Sequence, residues 1–100
     1  MKKLFISQPM KDKTETEILL ERKEAIDDAQ FQLGESVKPI DSFLKNAPKN
    51  AERALWMLGK SIELLSQADV VYFCDGWEHA RGCKIEHDAA VEYGLDIIYE

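Results

Sequence analysis

Four short apolar runs, separated by three stretches with helical spacing, constrain this chain more than any other feature. The runs are Leu4-Phe5-Ile6, Val37 to Ile40, Val70-Val71-Tyr72-Phe73 and Leu95 to Tyr99. Each is too short for a stable helix and is bounded by turn-forming residues, which reads as a buried strand. Between them apolar residues recur at three- and four-residue steps: Ile18, Leu19, Ala25, Ile26, Ala29 and Leu33, then Ala51, Ala54, Leu55, Leu58, Ile62 and Leu65, then a third set from about Arg81 to Tyr93. The order is β-α-β-α-β-α-β. Such alternation selects a parallel sheet with right-handed crossovers. The expected fold is a single α/β domain over residues 1–100, Rossmann-like or flavodoxin-like, in three layers. Its four-stranded parallel sheet has the order 2-1-3-4, with one helix on one face and two on the other.

The punctuation is local. Thr14 with Glu17 three residues on forms a capping-box pattern at the start of the first helix, and Gly34 stops it. Pro39 lacks an N–H and places the second strand at a sheet edge. Residues 41–50, with Pro48, form a loop, and Gly94 closes the third helix. There are no repeats or low-complexity tracts.

A net charge of −6 disfavours a nucleic-acid polymer as partner, because phosphate contacts need clustered Lys and Arg. Lys2, Lys3, Lys11 and Lys13 are the one basic cluster and read as a solvated end. No segment approaches the roughly 18 apolar residues of a membrane span, so no membrane partner is expected. The start, Met1-Lys2-Lys3-Leu4-Phe5-Ile6, is too short for a signal-peptide core. A cytoplasmic location follows as the expectation, with Cys74 and Cys83 reduced.

In a parallel sheet of this order, ligands bind where the strand order reverses, at the carboxyl ends of the first and third strands. The loops leaving those strands are Ser7-Gln8-Pro9-Met10 and the segment from Asp75 onward. The second is dense in chemistry: Asp75, Gly76, Trp77, Glu78, His79, Arg81, Gly82, Cys83, Glu86 and His87 lie within 13 residues. Glu86 falls in the early turns of the third helix among Gly82, Ala89 and Ala90. A carboxylate there suits attack on a sugar C1 through an oxocarbenium-like transition state; a solvent-facing helical Glu is the plain alternative. Asp75, next to the permissive Gly76, suits a sugar hydroxyl or the leaving base, or a simple Asp-Gly turn. Ser7 and Gln8 suit ligand hydrogen bonds or the loop's own amides. Arg81 at a helix N-terminus opposes the dipole; an anionic ligand group, or Glu78, would account for it. Trp77 suits stacking on a base or covering the core edge. Asp69, opening the third strand, suits a cap or turn.

His79, Cys83 and His87 recur at four-residue steps with Cys74 nearby, a pattern that can bring metal ligands together. His79 precedes the helix, however, and tetrahedral sites show tighter paired spacings. Neither G-x-G-x-x-G nor G-x-x-x-x-G-K occurs. No metal and no cofactor are expected.

Three segments resemble the nucleoside 2-deoxyribosyltransferase-like family, which includes deoxynucleotide N-hydrolases, and within it a small, often phage-associated branch. They are Leu4-Phe5-Ile6-Ser7-Gln8-Pro9-Met10, Ala68 to Gly76, and Gly82-Cys83-Lys84-Ile85-Glu86-His87-Asp88-Ala89-Ala90 followed by Gly94. The resemblance implies that Glu86 matches the catalytic nucleophile and Asp75 the acid after the third strand. It further implies that Ser7, Gln8, Pro9 and Met10 line the sugar and base pocket, and that the protein assembles as a homo-oligomer. Gly76, Trp77, Glu78, Arg81 and Gly82 complete the expected substrate-binding set. Ser61 stands where the transferases carry an acid two turns before the third strand. Ala80 stands where they carry an Asp six residues before the nucleophile, and Gly82-Cys83 replaces a Gly-Thr pair. With those acids missing, the expected activity is hydrolysis of the N-glycosidic bond of a nucleoside or nucleotide rather than base transfer. A nucleotide-binding protein without catalysis is the alternative.

Overall fold

The computed structural model describes residues 1–100 and shows the expected α/β architecture. The elements are β1 (Lys2–Ser7), α1 (Glu15–Leu33), β2 (Val37–Pro39), α2 (Arg53–Leu65), β3 (Val70–Phe73), a single 3₁₀ turn (Trp77–His79), α3 (Arg81–Glu92) and β4 (Asp96–Tyr99). All strand pairs are parallel and the sheet order is β2-β1-β3-β4. Leu4 lies beside both Pro39 and Val70, and Ser7 beside Phe73.

Residue alternation along the strands divides the core into two layers. Leu4, Ile6, Val70, Tyr72 and Cys74 pack with Ala25 and Ala29 of α1 on one face. Phe5, Val71 and Phe73 pack with Leu65 of α2 and Ala90 of α3 on the other. One helix on one face and two on the other is the expected arrangement. The central strand β3 is buried throughout, as a parallel strand covered on both faces must be. Each fully buried Leu, Val or Phe contributes about 1.5–3 kcal/mol by leaving water.

Local signals set the helix ends. Thr14 and Glu17 form a complete capping box, and Gly34 takes the left-handed conformation (φ 68°) and donates its N–H to the Gln30 carbonyl. Asp69 is structural as well. Its carboxylate accepts the Lys3 N–H at 2.8 Å, tying β3 to β1 at the amino end of the sheet.

Several expectations need correction. Leu19 is 48% exposed, and Arg22 occupies the buried face of α1 in its place at 8%. The second helix begins at Arg53, capped by the Glu52 carboxylate, rather than at Ala51. Its first turns are not a buried stripe, since Ala54 is exposed and Leu55 is 67% exposed. The amino-terminal lysines are not uniformly solvated, because Lys13 pairs with Glu21 at 2.9 Å. No helix is long and apolar enough to cross a membrane.

Candidate active site

The alternation that builds the two layers also aims the ends of β1. Ser7 points to the α2/α3 side and Gln8 to the α1 side. On the first side the Ser7 hydroxyl donates to the Glu86 carboxylate at 2.7 Å. Glu86 sits on the sheet-facing side of α3 with Cys83 and Ala90 and is only 7% exposed. The solvent-facing alternative for Glu86 is therefore overturned. Burial pushes its carboxyl pKa up to about 7, while the hydroxyls of Ser7 and Ser61 hold it down. Ser61, on α2, is a contributor that sequence reasoning treated only as a missing acid. Its hydroxyl stabilises the charged form without adding a second negative charge.

Cys83, weighed from the sequence as a metal ligand, is another neighbour of this pair. Its thiol lies beside Ser7 and is buried, which raises its pKa to about 11 despite the Ser7 hydrogen bond. Gly82, the preceding residue, leaves space toward α2: a Cβ there would lie 4.0 Å from Leu58 Cδ1.

The loops after β1 and β3 meet, as the strand order requires. Gly76 has φ 88°, and a Cβ on it would lie 3.7 Å from Pro9 Cγ. Asp75 and Glu78 are exposed on this rim. The Asp75 backbone N–H donates to the Glu100 carboxylate at 2.8 Å, which ties the rim to the end of β4. Met10 is exposed, and its carbonyl accepts the Lys13 N–H. Gln8 is buried and serves α1 rather than loop amides: its Nε2 donates to the Ile18 carbonyl at 2.9 Å and to Glu21 at 3.0 Å.

Trp77 covers the core edge. Its ring stacks on His87 with centroids 4.0 Å apart and tilts against Phe73 at 5.4 Å. His87 Nε2 and the Tyr99 hydroxyl share a 2.6 Å hydrogen bond. His87 is thus engaged in an aromatic group, His79 belongs to the 3₁₀ turn, and Cys83 lies beside Ser7. No three His, Cys, Asp or Glu side chains are placed to hold a metal ion. Arg81 is exposed at the first position of α3 and makes no ion pair; Glu78 is not its partner. The N-cap, Ala80, provides no side-chain oxygen, so the first N–H groups of α3 lack the acceptor that an Asp there would supply.

Two surface clefts lie elsewhere on the molecule and neither contains Glu86. One of about 180 Å³ lies over α1, between Glu21, Glu24, Asp28, Tyr72, Cys74 and Glu100. The other, of about 350 Å³, lies at Lys3, Lys38, Asp41, Leu64 and Gln67.

A four-stranded parallel sheet in the order β2-β1-β3-β4, covered by helices on both faces, defines a Rossmann-like α/β protein. The chain belongs to the family described as a domain of unknown function (DUF4406), whose pattern it matches over residues 2–99. No curated protein and no solved structure matches it.

Proposed function

We propose that the protein cleaves the N-glycosidic bond of a nucleoside or nucleotide, with Glu86 as the nucleophile. The observation that carries this reading is the buried Glu86 carboxylate, hydrogen-bonded by Ser7 at the carboxyl end of β1. A carboxyl with a pKa near 7 is ionised in a large share of molecules at neutral pH. In its low-dielectric setting the anion is a stronger nucleophile than a hydrated carboxylate. Attack on C1′ forms a glycosyl ester as the C1′–N bond breaks. The electron pair leaves with the base, which takes a proton from water or from an acid on the rim, Asp75 or Glu78. Water then hydrolyses the ester, releasing the sugar and restoring Glu86. Arg81 beside the uncapped start of α3 offers a place for a phosphate, so a nucleotide fits as well as a nucleoside.

Access to Glu86 requires movement of its cover. Ser61 and Leu58 on α2 stand over α3, and the first turns of α2 are the least buried part of the helical layers. Loosely packed segments of this kind open at low cost.

Binding without turnover is the second reading. It is favoured by one observation: no acid other than Glu86 is buried on this side of the sheet, so the protonation of a leaving base falls to exposed groups. The exposed and half-buried Leu55, Trp56 and Met57 edge of α2 supports a homo-oligomer, and the cytoplasm is the location that fits this reading.

The test is base release from deoxynucleosides and their monophosphates by wild type and Glu86→Gln. Release by wild type, reduced at least a hundredfold in the variant, supports the nucleophile. Tight binding with no release by either supports the second reading. Equal release by both removes Glu86 from the chemistry.

A further inference from the structure

On the opposite side of the β1 terminus from Glu86 lies a second group of buried polar side chains. Gln8 Oε1, Arg22 Nη1 and Ser42 Oγ are all solvent-inaccessible and all without a hydrogen-bond partner. Their residues are 6%, 8% and 6% exposed. Native proteins leave few buried polar atoms unpaired, and each is costly. The three are linked. Gln8 Nε2 donates to the Ile18 carbonyl, one turn before Arg22 on α1. Arg22 Nη2 donates to the Ile40 carbonyl at 3.2 Å, two residues before Ser42. The Ile40 N–H in turn bonds the Leu4 carbonyl, which anchors the exit of β2 against β1.

The unpartnered atoms form a mixed set: an amide oxygen that accepts, a guanidinium N–H that donates, and a hydroxyl that does either. A phosphate, which only accepts when ionised, fits this set poorly. The Gln8 oxygen would face it, and the nearby Asp41 carboxylate already exerts its field on Arg22. A neutral edge with a carbonyl beside an N–H satisfies all three atoms. The carbonyl takes Arg22 and Ser42, and the N–H takes Gln8. This is the lactam edge of uracil, thymine, hypoxanthine or guanine; the amidine-type edges of cytosine and adenine reverse the pairing.

The chain that carries on from Ser42 is lightly held. Residues 41–50 form no helix or strand, and the one backbone hydrogen bond within residues 41–51 is local, from the Ala51 N–H to the Pro48 carbonyl. A surface ion pair, Lys45 to Glu15 at 2.7 Å, tethers the segment to α1. Long connections of this kind commonly serve as ligand covers.

We propose that Gln8, Arg22 and Ser42 form a subsite that reads the lactam edge of an oxo-base, reached when the segment beyond Ser42, residues 43–50, lifts. The proposal rests on the reading of the switch point as a nucleoside or nucleotide site, and it assigns base selection to the α1 side while Glu86 works on the other.

The experiment is calorimetric binding to the full chain carrying Glu86→Gln, which keeps turnover out of the measurement. The ligands are the deoxyuridine, deoxycytidine, deoxyinosine and deoxyadenosine 5′-monophosphates, with inorganic phosphate as the anion probe. The oxo-bases are expected to bind at least tenfold more tightly than their amino counterparts. Arg22→Met and Ser42→Ala, each added to that chain, are expected to bring the ratio below threefold. Arg22→Met also deletes the bond to the Ile40 carbonyl, so its thermal melt is recorded beside its binding to show that it folds. Equal affinity for the two base classes, or a preference that survives both substitutions, overturns the proposal. So does phosphate binding that disappears in Arg22→Met. If Arg22→Met fails to fold, Ser42→Ala alone decides by the same ratio. Because binding is the readout, loss of the Glu86 mechanism shows separately, as base release that does not depend on Glu86.

Discussion

The Ser7 hydroxyl and the Glu86 carboxylate meet at 2.7 Å across 79 residues of chain. The contact joins the end of β1 to the second turn of α3, the two elements that flank the switch point. It holds one carboxylate oxygen in a fixed direction inside a layer otherwise filled by Phe5, Val71, Phe73 and Ala90. A single hydrogen bond of this kind offsets only part of the cost of burying a carboxylate, which is why the Glu86 pKa stays raised at about 7.

That raised value makes stability depend on pH. Because the folded-state pKa lies above the ordinary value of 4.5, the native state holds its proton more tightly than the unfolded chain. The contribution is fully present below pH 4.5, is lost as pH rises from there through 7, and is flat above. At 1.36 kcal/mol for each pH step, the loss is on the order of 3 kcal/mol. Glu86→Gln, which keeps an acceptor for Ser7, removes this dependence. It is expected to stabilise the protein at pH 8 and to leave it nearly unchanged at pH 4. Urea unfolding at the two pH values measures the difference, and an equal change at both would show that Glu86 is not buried as described.

Ser7→Ala acts in the opposite direction on the same carboxylate. Removing the hydroxyl takes away a donor that favours the charged form, so the Glu86 pKa rises further. If Glu86 is the nucleophile of the proposed base release, the rate at pH 7 is expected to fall several-fold and to recover as pH increases, because the proposal has only the ionised carboxylate attack. A loss that is the same at every pH would assign Ser7 to substrate contact instead. The lost hydrogen bond is expected to cost about 1–2 kcal/mol of stability at pH 8, where the carboxylate is ionised.

The fold was legible because each element carried its own signal. Val70 to Phe73 reads as a buried strand and is one; Thr14, Glu17 and Gly34 bound α1 as their chemistry dictates. The α2 boundary and the Leu19 position were less legible, because periodicity records where apolar residues stand and not what covers them. Leu19 fits the stripe by spacing, yet the sheet-facing position goes to Arg22, whose guanidinium reaches the Ile40 carbonyl. For the site, the resemblance singled out Glu86, and topology placed Ser7 near it. Ser61 was visible only as a substitution for an expected acid, and Cys83 only as a substitution and as a member of the His79, Cys83 and His87 spacing. Their part in the Glu86 environment depends on how α2 lies over α3, which no local pattern specifies. The orphaned atoms of Gln8, Arg22 and Ser42 are likewise a property of packing, invisible until three distant segments are brought together.

The aromatic group of Phe73, Trp77, His87 and Tyr99 is expected to be structural. Trp77 stacks on His87, whose Nε2 bonds the Tyr99 hydroxyl at 2.6 Å. Tyr99→Phe deletes that bond at a partly exposed site and is expected to cost about 1 kcal/mol with no change in the pH profile of base release. Thermal unfolding beside a pH–rate series tests both halves. A displaced rate profile would instead connect His87 to the chemistry through α3, on which both it and Glu86 reside.

The two thiols provide a measure of how closed the molecule is on both faces of the sheet. Cys74 lines the α1 side and Cys83 the Glu86 side, and burial pushes their pKa values up to about 12 and about 11. The thiolate is the reactive form, so at pH 8 both groups are almost entirely protonated as well as shielded. Native protein is expected to resist an alkylating reagent at pH 8 for hours, whereas protein unfolded in urea reacts at both positions within minutes. Mass spectrometry of the two peptides separates the positions. If α2 opens to admit a ligand to Glu86, Cys83 is expected to be labelled faster than Cys74 in native protein, and a bound nucleotide is expected to slow Cys83 alone. Equal labelling of both thiols would indicate global unfolding as the route, and would place the opening motion somewhere other than the α2 cover.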